Sequence, residues 1–129
     1  MAKIKIFKVG RFKTNCYLVS NDEENHFFLV DPGGKIKNFD ISSYKIDYIL
    51  LTHGHFDHIS NAAEYKELTG AKIVISKAEE NFINDGSLNL SSRFMKAHKL
   101  KSFEPDILCG EDDEIPFAGG AIKVLSTPG

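Results

Sequence analysis

Four residues able to bind a metal fall within residues 53–58: His53, His55, Asp57 and His58, in the run Thr52-His53-Gly54-His55-Phe56-Asp57-His58. Three of the chain's 5 histidines are in that run. Imidazole and carboxylate are ligand types that zinc prefers. His53 and His55 stand two residues apart, so an extended backbone turns both rings to the same side. Gly54 between them lets the backbone bend without a side chain filling the pocket. Asp57 and His58 follow where the chain turns toward a helix, which re-aims them. All four donors can then converge on one cavity. A lone histidine is ordinarily a surface or core residue, but four ligand-type residues at a strand-to-helix junction point to a metal centre.

The elements that must position this loop can be read on either side of it. Ile46 to Leu51 is a short apolar run rich in strand formers, suited to an inner strand of a sheet covered on both faces. From about His58 to Leu68 the period turns helical, with Ile59, Ala62 and Ala63 on one face and Thr69-Gly70 as the stop. Strands are expected at residues 3–9, where Lys and Ile alternate, at 15–20 and at 26–30. Asp31-Pro32-Gly33-Gly34 breaks the third of these. Beyond the helix, Lys72 to Ile75 reads as a strand, and Ser76-Lys77-Ala78-Glu79 as a capping box opening a short helix. Residues 86–103 read as an irregular, partly helical excursion. Ile115 to Ala118 and Ala121 to Leu125 read as a hairpin turning at Gly119-Gly120. This order argues for one α/β (α+β) domain over residues 1–129, with helices on a sheet and the site at a strand's carboxyl end.

Bulk properties exclude several function classes. The chain has 129 residues, 42% of them hydrophobic and 26% charged, which is the composition of a globular domain. Its net charge of −2, from 16 basic and 18 acidic residues, gives no electrostatic reason to expect nucleic acid or an anionic membrane as partner. The opening Met-Ala-Lys-Ile-Lys-Ile lacks an apolar signal region, and no apolar run is long enough to span a bilayer. A cytoplasmic protein is expected. Cys16 and Cys109 read as buried thiols, since no C-x-x-C pair is present.

The run Thr-His-Gly-His-Phe-Asp-His resembles the H-x-H-x-D-H signature of the metallo-β-lactamase superfamily. Asn15-Cys16-Tyr17-Leu18-Val19 and Val30-Asp31-Pro32-Gly33 resemble its glyoxalase II-like (hydroxyacylglutathione hydrolase-like) branch, as does Ser126-Thr127-Pro128-Gly129. The resemblance covers nearly the whole chain in the right order. It implies an αββα sandwich holding two metal ions, Zn2+ first, with Fe or Mn as alternatives. By position His53 and His55 would bind one ion, and Asp57 and His58 the other. It also implies a hydroxide held between the ions that attacks a carbonyl or phosphorus centre, because coordination lowers the pKa of water from 15.7 to about 7. Asp57 is the catalytic candidate, orienting that hydroxide. The family's remaining ligands come after the Thr-Pro-Gly segment, so the sandwich is expected to be incomplete within these residues and the chain to be a piece of a longer protein, inactive by itself and able to self-associate.

Other residues carry weaker claims. Asp31 is either an acceptor behind the ligands that orients an imidazole, or a turn aspartate closing its strand. His26 and His98 are expected at the surface. Arg93, Lys96, His98, Lys99 and Lys101 form a basic stretch that suits either a substrate anion or a solvated face. Glu111-Asp112-Asp113-Glu114 reads as a solvated turn.

The leading expectation is a metal-dependent hydrolase of a small-molecule thioester or related ester. Iron-dependent oxidation or phosphodiester hydrolysis on the same fold is the alternative within enzymes, because fold and motif do not settle substrate. A metal-binding half-domain without catalysis is the alternative outside them.

Overall fold

Lys and Ile alternate from Lys3 to Ile6, and a period of two sends successive side chains to opposite faces of a strand. The computed structural model, which describes residues 3–10, 13–21, 23, 25–52, 61–77, 105–110, 113–117 and 120–123, forms β1 there, Lys3–Val9. β1 pairs antiparallel with β2 (Thr14–Ser20), and β2 with β3 (Phe27–Val30). The chain then crosses over to β4 (Ile46–Leu51), which runs parallel to β3. Parallel pairing continues through β5 (Lys72–Ser76) to β6 (Ile107–Cys109). The result is one six-stranded mixed sheet whose spatial order is the sequence order.

Helix α1 (Ala62–Thr69) joins β4 to β5. It stops at Gly70, whose φ of 72° is the left-handed conformation that glycine adopts without steric cost. The Gly70 N–H closes on the Lys66 carbonyl at 2.8 Å. Ala62, Ala63 and Tyr65 of α1 pack on one face of the sheet with Leu29, Ile49, Leu51, Ile73 and Ile75, and a 3-10 turn at Ile41–Ser43 adds Ile41. Leu29, Ile49, Ile73 and Ile75 are wholly buried, each stabilising the fold by roughly 1.5–3 kcal/mol.

Alternation sends Tyr48, Leu50 and Val74 to the opposite face. There a hairpin of β7 (Glu114–Phe117) and β8 (Gly120–Lys123) covers them with Ile115 and Ile122. Phe117 meets Phe28 edge-on at 4.9 Å, and the Tyr48 hydroxyl donates to the Pro116 carbonyl at 2.7 Å. A second sheet thus stacks on the first.

Several expectations shift by a residue or more. β3 begins at Phe27 rather than His26, and the described part of the helix begins at Ala62, after the turn residue Asn61. Phe117 pairs with Gly120, so Gly120 belongs to a strand rather than to the hairpin turn. β6 was not anticipated. Ser76 is the last residue of β5, and the helix expected after it lies outside the described residues, as does the excursion at 86–103. No helix among the described residues is long and apolar enough to cross a membrane.

Candidate metal centre

β3 and β4 run side by side and end together, at Val30 and Leu51. The residue after β3 is Asp31. It is buried, at 4% exposure, and its φ of 53° lies in the left-handed region that non-glycine residues seldom adopt. Its N–H donates to the Leu50 carbonyl at 2.9 Å, which keeps it beside the end of β4. Its carboxylate then takes two hydrogen bonds from one residue. Oδ1 accepts the Thr52 N–H at 2.7 Å, and Oδ2 accepts the Thr52 hydroxyl. Thr52 is the residue immediately before His53.

The other end of the histidine loop returns to the next residue of the same turn. The Asn61 N–H donates to the Pro32 carbonyl at 2.8 Å. Asn61 opens α1: its carbonyl accepts the Tyr65 N–H at 3.0 Å, and its side-chain amide donates to Glu64 at 2.8 Å. Pro32 itself is fully buried, within a three-residue turn closed by the Gly33 N–H on the Asp31 carbonyl at 2.8 Å. The two residues that flank 53–60 are therefore bonded to neighbouring residues, Thr52 to Asp31 and Asn61 to Pro32.

The turn is in turn wedged. A Cβ on Gly34 would stand 2.4 Å from the Gly10 nitrogen, so the β1–β2 connection touches it backbone to backbone. On the helix side, the Tyr65 hydroxyl accepts the Ile36 N–H at 2.8 Å.

His53, His55, Asp57 and His58 lie outside the described residues, and the structure speaks only of their two flanks. Of these flanks, Thr52 directly follows the carboxyl end of β4. Among the described residues no three His, Cys, Asp or Glu side chains gather to hold a metal. The His and Asp donors of residues 53–58 are those whose chemistry fits zinc or iron. Asp31 does close its strand, and it also fastens the backbone one residue ahead of the first histidine. Thr52, Asn61 and Tyr65 were missed by sequence reasoning. Their bonds span long separations, which leave no periodic signal.

The remaining candidates sit elsewhere. Cys16 is wholly buried in β2, and burial, with a smaller push from the Asp31 charge, raises its thiol to about 12. Cys109 is also buried. Burial first, then Asp113, pushes its thiol up against a weaker opposing pull that includes Lys77, and Sγ lies 3.5 Å from the Ile75 carbonyl. Both are free, packed thiols, as expected. His26 is only half exposed to solvent: Nδ1 lies 2.9 Å from Asp47 Oδ2 at the amino ends of β3 and β4, away from Thr52. A recess lined by Lys3, Lys5, Leu18, Ser20, Phe27 and Tyr44 is at that same far end and is not the metal centre. Asp113 bonds the Gly110 N–H at 2.7 Å, consistent with a turn. His98 and the basic stretch from Arg93 to Lys101 lie outside the described residues.

Comparison with known proteins bears on the whole arrangement. The model of the metallo-beta-lactamase superfamily matches residues 9–129. Hydroxyacylglutathione hydrolase GloC of Haemophilus influenzae is 30% identical over 131 residues, which take in 98% of this chain and 61% of that protein. The crystal structure of the B3 metallo-beta-lactamase BLEG-1 superposes with a TM-score of 0.81 at 26% identity, over 98% of this chain and 62% of that one. TTHA1623, solved in a di-iron-bound form, shares the fold with a TM-score of 0.70 at 23% identity, over 86% and 56%. The chain spans about 60% of the length of the curated relatives that match it over nearly its whole length.

Proposed function

This chain belongs to the metallo-beta-lactamase superfamily, and on that premise we propose that it is the histidine-loop part of a metal-dependent hydrolase acting on a small thioester or related ester. One observation carries the site: the segment holding all four candidate ligands starts from a residue bonded to Asp31 and ends at a residue bonded to Pro32. A catalytic metal site gains from a supporting frame that holds its donors in place, and the residues flanking this segment, Thr52 and Asn61, are both bonded to the same turn.

In this reading His53 and His55 serve one ion and Asp57 and His58 a second, with zinc the favoured metal. Divalent ions bound there would supply a water-derived nucleophile at neutral pH and polarise the substrate carbonyl. The chain's own contribution is placement. Asp31 fixes the exit of β4 and the start of the loop, and α1 fixes its return. Asp57 would bring a negative charge to the second ion, offsetting part of its positive charge. The thioester preference follows the likeness to a hydroxyacylglutathione hydrolase. It is the finer part of the proposal, because one fold hosts many chemistries.

The test is metal analysis of the full gene product, together with turnover on hydroxyacyl-glutathione thioesters, phosphodiesters and β-lactams. Two metal equivalents and preferential thioester cleavage are expected. A metal-free protein, or one whose only substrates are phosphodiesters, would overturn the reading at the level of the site or of the substrate respectively.

A further inference from the structure

We infer that the Tyr65 hydroxyl is a positioning group for the histidine loop, acting through the Asp31–Ile36 segment from which the loop hangs. The inference rests on the reading of residues 53–58 as metal ligands.

Tyr65 stands in the second turn from the loop's return point. Its ring is buried at 3% exposure among core residues, and its oxygen accepts the Ile36 N–H at 2.8 Å within that core, across 29 residues of sequence. Ile36 is itself buried at 2% exposure, so this N–H has no water to turn to if the hydroxyl is removed. Burial also pushes the phenol's pKa up, which keeps the group a neutral hydroxyl.

The geometry makes this bond more than local. α1 holds the segment at two points, Asn61 N–H on Pro32 and the Tyr65 hydroxyl on Ile36. These two bonds, added to the packing of Ala62, Ala63, Tyr65 and Ile36 in one core, set the orientation of the segment against α1. The segment cannot give way on its other side, because Gly34 already lies against Gly10 without room for a Cβ. The same segment presents the Asp31 carboxylate to Thr52. Losing the hydroxyl strands the buried Ile36 N–H and lets the segment shift against α1, and that segment carries Asp31 and Pro32, the partners of the two residues flanking 53–60. Both ends of the ligand set then lose their common reference.

The first test is Tyr65→Phe in the full gene product, with zinc affinity measured by competition with a chelating dye. Outer groups that orient ligands typically change metal affinity 10- to 100-fold, and a loss of about tenfold is expected here, with kcat falling more than KM rises. Ile73→Val, which trims the same core on β5 without touching the segment, serves as the control for mere destabilisation. Affinity within twofold of wild type in Tyr65→Phe, or an equal loss in Ile73→Val, would overturn the inference. The second test needs no variant. Coupling is reciprocal, so zinc must in return protect the Ile36 amide from hydrogen exchange. Slower exchange at Ile36 on adding zinc, with little change at Tyr48, supports the role; no change at Ile36 overturns it. A wild-type protein that binds neither zinc nor ferrous iron would instead remove the metal reading, and this inference with it.

Discussion

Asp31 and Thr52 are 21 residues apart, and one carboxylate takes both the amide and the hydroxyl of the other residue. The consequence is a fixed exit from β4. Asp31 reaches Thr52 only because its backbone sits at a φ of 53°, so local strain and the bond to the loop are two sides of one arrangement. Replacing Asp31 tests them together. Asn keeps one acceptor and tolerates the left-handed conformation, whereas Ala keeps neither advantage. Stability in urea should fall from wild type to Asp31→Asn to Asp31→Ala. The first step should cost about 1.5–3 kcal/mol, the usual worth of a hydrogen bond to a charged group. Equal midpoints for the two variants would show that neither the remaining acceptor nor tolerance of the left-handed conformation contributes.

Asp57→Ala in the full gene product should lower turnover at least as much as it lowers total metal content. A carboxylate at the second metal both neutralises charge and orients the nucleophile, so its loss acts on affinity and rate together. Activity and bound metal are measured on the same preparation. Full turnover with two metals retained would remove Asp57 from the catalytic role.

Two glycines make a matched pair. A Cβ on Gly34 would lie 2.4 Å from the Gly10 nitrogen and 2.6 Å from its Cα, so backbone would have to move. Gly70 has φ 72° but nothing within 4 Å of such a Cβ. Gly70→Ala should therefore cost only the left-handed penalty, about 1–2 kcal/mol. Gly34→Ala should cost more and should also weaken metal binding, because the displaced segment carries Asp31. Thermal unfolding and metal titration of both variants check this. A smaller loss for Gly34→Ala than for Gly70→Ala would contradict the close contact.

The Cys16 thiol gives a pH dependence with a definite sign. Burial raises it to about 12 from its ordinary 9.0, so the folded state holds its proton where the unfolded state has lost it. Its contribution is fully present below pH 9 and is lost between pH 9 and pH 12, by at most about 1.4 kcal/mol per unit. Cys16→Ala removes that slope. The stability gap between wild type and Cys16→Ala should accordingly narrow from pH 8 to pH 10.5. A gap that stays constant would mean the thiol ionises as freely in the fold as outside it.

The pattern of what the sequence reveals follows the range of the interactions. Ile46 to Leu51 is a strand with the boundaries its apolar run suggests, and the Lys-Ile alternation marks all of β1, because both depend on neighbours one or two residues away. The end of β4 at Leu51, two residues ahead of His53, was legible for the same reason. β6 was not, since three residues after Pro105 and Asp106 are too few to show a period. Gly119-Gly120 has the composition of a turn, yet cross-strand pairing draws Gly120 into β8. The bonds from Asp31 to Thr52 and from Ile36 to Tyr65 join residues 21 and 29 apart, and only the fold brings such pairs together.

A polypeptide of these 129 residues alone should bind metal weakly, turn over no thioester and self-associate. The first two expectations come from counting ligands. A catalytic zinc takes three protein ligands plus water, and four side chains shared between two ions leave each short. The third comes from the sheet. β1 pairs with β2 so that Ile4 faces Val19 and Ile6 faces Tyr17 on the side where the β7–β8 hairpin packs. That hairpin covers Phe28, Tyr48, Leu50 and Val74 further along the sheet, and Ile4 and Ile6 remain 61% and 60% exposed. Neighbouring exposed isoleucines on a strand face invite another apolar surface. Sedimentation of the 129-residue polypeptide should show concentration-dependent mass, reduced by Ile4→Lys with Ile6→Glu. Opposite charges in the pair keep the net charge of −2 unchanged, so loss of association would report on apolar contact rather than on repulsion. Turnover is measured in parallel, at saturating zinc and equal concentration to the full gene product. A monomer at all concentrations would remove the association, and turnover equal to the full protein's would show that His53, His55, Asp57 and His58 suffice.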